Sequence, residues 1–81
     1  MKVLVIEDDA ATVETVSLAF EFRWPGSIVL SSDKGSEAAE LVEKESPDVV
    51  ILDLGLPDMD GIEVLREVRQ FSNVPLIILT A

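Results

Sequence analysis

The chain has 81 residues, 48% of them hydrophobic and 27% charged, with sixteen acidic side chains against six basic ones, no histidine and a formal net charge of −10. That length holds one small domain, expected over residues 1–81. The acidic balance excludes nucleic-acid binding by this chain, which needs clustered Lys and Arg, and docking to anionic membranes, and it suits a cation site or a partner with a basic face.

Val3–Ile6 is a short, continuous, β-branched run cut off by Glu7-Asp8-Asp9, as in a strand buried on both faces. Asp9 or Thr12 can cap a helix running to about Phe22, with Val13, Val16, Ala19 and Phe20 at helical spacing. Arg23-Trp24-Pro25-Gly26 breaks it, and Ser27–Ser31 is the second expected strand. Residues 33–36 form a loop before a helix over Glu37–Glu45, which buries Ala38, Leu41 and Val42 and ends at Ser46-Pro47-Asp48. Val49–Leu52 is the third strand and delivers Asp53 to a Gly/Pro loop. Asp60 caps a third helix, with Glu63 placed as in a capping box and Ile62, Val64, Leu65 and Val68 on its apolar side. That helix ends near residues 71–73, and Pro75 precedes a fourth strand, Leu76–Leu79.

The order βαβαβαβ with doubly apolar strands implies an α/β fold, a parallel sheet covered by helices on both faces. There is no cysteine, so no disulfide and no thiolate zinc site, which fits a cytoplasmic protein. The apolar runs are far below transmembrane length, and the N-terminus lacks a signal-peptide core.

In a parallel sheet every strand ends at one edge. Glu7, Asp8 and Asp9 would share that rim with Asp53 and Thr80. If the first and third strands are neighbours, Asp8 and Asp53 come within a few ångströms. Two like charges about 4 Å apart repel by about 4 kcal/mol at a partly screened dielectric, so the cluster calls for a divalent cation or a proton. Mg²⁺ suits such a set of hard oxygens, an aspartate can act as nucleophile to give an acyl phosphate, and Thr80 could hydrogen-bond a phosphoryl oxygen. The bland readings differ by residue. Asp9 serves as a helix cap, and Thr80 matters only by position. Asp58, Asp60, Gly61 and Glu67 imitate a calcium loop whose first ligand position would hold Leu56.

Three segments together resemble the receiver domain of two-component response regulators. Val3–Asp9 is similar to that family's first strand with its acidic metal pair. Val49–Leu65 is similar to its phosphoacceptor strand, loop and third helix, and Val74–Ala81 to its fourth strand with a terminal switch threonine. The resemblance implies a flavodoxin-like, doubly wound sheet of strand order 2-1-3-4. It implies Asp53 as phosphoacceptor, Glu7 and Asp8 as metal acids, Gly55 lending its backbone carbonyl to Mg²⁺, and Thr80 swinging toward the phosphoryl group. It implies a sensor histidine kinase as donor, and the subfamily most similar has a winged-helix DNA-binding output. A complete receiver of this kind continues through a further helix, strand and helix, which carry a Lys that pairs with the phosphoryl group. The expectation is therefore a receiver lacking that segment. Two other functions compete. One is a folded fragment that forms a homodimer or oligomer through its exposed fourth strand without signalling. The other is a Mg²⁺-dependent phosphohydrolase, which wants a second Asp two residues after the nucleophile, where this chain has Gly55.

Overall fold

A computed structural model describes residues 1–79; Thr80, the expected switch hydroxyl, lies outside the described residues. The four apolar runs form β1 (Lys2–Ile6), β2 (Ile28–Ser32), β3 (Val49–Asp53) and β4 (Leu76–Leu79). The periodic segments form α1 (Ala10–Arg23), α2 (Ala38–Glu45) and α3 (Gly61–Arg69), and a single 3-10 turn, Gly35–Glu37, leads into α2. All strand pairs are parallel and the order is β2-β1-β3-β4. The expected flavodoxin-like, doubly wound sheet is thus the observed one.

Side chains alternate across the sheet. Leu4, Ile6, Val50 and Leu52 meet Ala38 and Val42 of α2 and Val64 and Val68 of α3 on one face. Val3, Val5, Val49 and Ile51 meet Val13, Val16 and Phe20 of α1 on the other. Val3, Leu4, Val5 and Ile6 are fully buried, so β1 is the centre of both layers. Each such aliphatic side chain contributes about 1.5–3 kcal/mol of burial. The two layers differ in quality: α2 and α3 each bury residues completely, whereas α1 buries none, and its Leu18 and Phe22 face solvent.

Polar residues set the element ends. Asp9 caps α1, accepting from the Ala11 N–H and from the Thr12 hydroxyl. Asp60 caps α3 by accepting from the Ile62 N–H at 2.9 Å. The chain leaves α2 through Ser46, a left-handed residue with φ 47°. β2 begins one residue later than the sequence pattern suggests, because Ser27 belongs to the preceding turn, where its N–H and hydroxyl both donate to the Trp24 carbonyl. β4 is one edge of the described sheet and β2 the other, and in β4 Ile77 is 51% and Ile78 38% exposed, one on each face. Among the described residues no helix is long and apolar enough to cross a membrane.

Candidate functional site

The strand order places the site. From β1 the chain goes out to β2, then crosses back over β1 to β3, so the loops after β1 and β3 diverge to opposite faces. The crevice between them is the switch point where α/β sheets bind ligands. Ile6 pairs with Leu52 in the β1–β3 ladder, so Glu7 stands level with Asp53. Glu7 is fixed there by its N–H, which donates to the Ser32 carbonyl at 3.0 Å.

Glu7, Asp8 and Asp53 form one cluster, in which one carboxylate oxygen from each lies within 4.8 Å of the other two. Glu7 is buried, Asp53 half-buried and Asp8 exposed. Burial pushes the Glu7 carboxyl up to about 7, helped by a hydrogen bond to Asp53 and by the Asp53 and Asp8 charges. Asp53 moves the opposite way, held below the ordinary range by the Glu7 hydrogen bond and by the Gly55 N–H, which donates to Asp53 Oδ1 at 2.9 Å. The opposed shifts favour one proton shared by the pair and held on Glu7 below about pH 7. Three hard oxygen donors on a rim open to water fit Mg²⁺, which takes few protein ligands and keeps several waters. A recess of about 460 Å³ opens beside the cluster and carries Asp33 and Glu37 on its wall. Glu37 is held by the Ser32 hydroxyl at 2.7 Å.

The structure brings together Glu7, Asp8, Asp53 and Gly55 as the sequence places them. Asp9 turns away to cap α1. A Cβ at Gly55 would make only ordinary contact, 3.6 Å from Asp53 Oδ1, so a side chain would fit at this position. The second acid of an aspartate-nucleophile hydrolase is absent there by residue choice rather than for want of space.

One contact of the rim has no local sequence signal. Asp58 reaches back 23 positions, its carboxylate accepting from the N–H groups of Gly35 and Ser36 at 2.9 and 3.2 Å. These bonds, that to Gly35 foremost, hold the Asp58 carboxyl below the usual range.

Known proteins carry the same architecture. The chain is 36% identical over 80 residues to the transcriptional regulatory protein KdpE of Staphylococcus aureus, covering 99% of this chain and 34% of that one. It is 43% identical over 81 residues to the cell cycle transcriptional regulator CtrA of Caulobacter vibrioides, covering 99% and 34%. The BeF3-activated N-terminal receiver domain of Klebsiella pneumoniae RstA superposes with a TM-score of 0.87 at 29% identity, over 99% of this chain and 67% of that one. The chain thus spans about a third of the length of the curated relatives it matches. Residues 3–81 match the response regulator receiver domain model, and the chain belongs to that family.

Proposed function

We propose that this chain takes a phosphoryl group onto Asp53 from the phosphohistidine of a sensor histidine kinase, with Mg²⁺ held by Glu7, Asp8, Asp53 and the Gly55 carbonyl. The observation that carries the reading is the three-carboxylate cluster at the β1–β3 switch point. Bound Mg²⁺ would offset the charge that gathers on the phosphoryl oxygens. The chain's own residues do the rest. The Gly55 N–H holds Asp53 Oδ1, leaving Oδ2 as the attacking oxygen. A new O–P bond forms as the donor's P–N bond breaks, and the imidazole leaves with the bonding pair. The depressed Asp53 keeps this nucleophile ionised, while Glu7 would have to lose its proton to serve as a ligand. By resemblance, Thr80 supplies the hydroxyl that then turns toward the phosphoryl group. The added charge of about −1.5 to −2 is the signal. The transcriptional relatives support a cytoplasmic regulator whose output lies outside the 81 residues.

The test is incubation with Mg²⁺ and acetyl phosphate, read by intact mass. The expected result is one added phosphoryl group on the wild type and none on Asp53→Asn. Equal labelling of the two proteins, or none with a phosphorylated receiver run alongside, would refute the assignment.

A second reading rests on β4. Its outer edge offers backbone groups to a further strand, its exposed Ile77 and Ile78 offer apolar surface to bury, and self-association of the chain is one way to supply both. Sedimentation velocity tests it: a monomer at every concentration would rule it out.

A further inference from the structure

The turn that opens α2 is capped from outside its own segment. The first N–H groups of a helix need acceptors, normally supplied by the residue just before it. Here that residue is Lys34, whose side chain carries only donors. Neither Lys34 nor Glu37 makes a side-chain cap. The acceptor comes instead from the β3–α3 loop, where each oxygen of Asp58 takes one N–H, from Gly35 and from Ser36. The junction is also close-packed. Gly35 is buried, and a Cβ on it would stand 2.8 Å from Val64 Cγ2 and 3.1 Å from Leu56 Cδ1. The loop fixed at this point is the one that begins at Asp53 and carries Gly55 two residues later.

We propose that Asp58 is a positioning residue for the Asp53 site: by capping the turn at Gly35 and Ser36 it pins the far end of residues 54–58 and so sets where Gly55 stands beside Asp53. The inference rests on the proposed roles of Asp53 and Gly55 in holding Mg²⁺. Hydrogen bonds from backbone N–H groups to a carboxylate are charge-assisted and directional. Two of them, to two oxygens of one carboxylate, restrain both the place and the orientation of residue 58. Without them the loop keeps its start at β3, the buried Leu56 and its end at the Asp60 cap, and residue 58 loses its hydrogen-bonded tie to the turn before α2. An ordinary helix cap would affect stability alone. A positioning residue also changes cation affinity in protein that remains folded.

The experiment is a calorimetric Mg²⁺ titration of the chain as wild type, Asp58→Ala, Asp58→Asn and Val42→Ala, each with its own urea melt. Val42 is buried in α2 away from the cap, so V42A loosens the helix without removing the clamp. Groups bonded directly to metal ligands change affinity by about 10–100-fold, and Asp58 bonds none of them, so D58A should fall no further than the lower limit, up to about tenfold weaker. D58N keeps one charge-neutral acceptor and should lie between D58A and wild type. V42A should lose more stability than D58A and keep the wild-type Kd. Wild-type affinity in D58A, or an equal loss in V42A, would overturn the inference while leaving the phosphoacceptor reading intact. A wild type that binds no Mg²⁺, or an Asp53→Asn protein that binds it equally well, would overturn the reading of the site and this inference with it.

Discussion

Replacing Glu7 by Gln tests the shared proton directly. The folded carboxyl titrates at about 7 against an ordinary 4.5, so between those values the folded chain holds a proton that the unfolded chain has released. A carboxyl raised in this way adds stability that is present below 4.5 and is lost as the pH rises through about 7. Asp53 is shifted downward from 3.8, so its own contribution is lost only in stronger acid. At about 1.4 kcal/mol per pH unit the Glu7 window spans at most about 3 kcal/mol. The hydrogen bond to Asp53 is one cause of that shift and is counted within it, and the part of the window above pH 5 is on the order of 2 kcal/mol. Gln has the shape of protonated Glu and can still donate to Asp53, but it cannot ionise. In EDTA, E7Q should match the wild type near pH 5 and exceed it by on the order of 2 kcal/mol near pH 8. Mg²⁺ should reverse the order at pH 8, since a ligand at about 100 times its Kd stabilises the protein that binds it by about 2.7 kcal/mol. Urea unfolding followed by circular dichroism at several pH values measures both effects. Parallel pH profiles for the two proteins would show that Glu7 and Asp53 do not share a proton.

Two further substitutions probe the scaffold. Gly61→Ala should lower stability by about 2 kcal/mol, because the new methyl would stand 2.7 Å from the Leu54 Cα and 3.1 Å from the Asp53 carbonyl, both backbone atoms. The urea midpoint should fall, and phosphorylation at Asp53 should fall with it as the strand end is displaced. Ser46→Gly should raise stability by about 0.5 kcal/mol, since φ 47° and ψ 57° suit glycine at a helix C-terminus. The denaturant slope and the phosphorylation rate should both stay at wild-type values.

The parts of this fold that were legible are those written in short range. An apolar run closed by an acid marks both the strand and the end of the strand, so β1 with Glu7 and β3 with Asp53 were readable together. Helix caps at Asp9 and Asp60 were readable for the same reason, since donor and acceptor lie two residues apart. The start of β2 slipped by one because Ser27 is claimed by a turn through hydrogen bonds that propensity does not register. Two features needed three dimensions. The opposed shifts of Glu7 and Asp53 arise from burial plus a neighbour 46 positions away in sequence. The Asp58 cap joins two loops across 23 positions, where Lys34 gives no hint that a carboxylate is required.

The loose seating of α1 gives the rim two kinds of ligand. Asp53 ends β3 and Glu7 directly follows β1, the two strands at the heart of the sheet, so their backbone amides should be among the last to exchange with solvent. Asp8 instead sits at the head of a helix that buries no residue fully. Were that helix to detach in part, Asp8 would move with it while the other two carboxylates stay in place. An arriving hydrated ion would thus find one mobile hand and two fixed ones, and the rate at which it is admitted or released would be set by the helix rather than by the sheet.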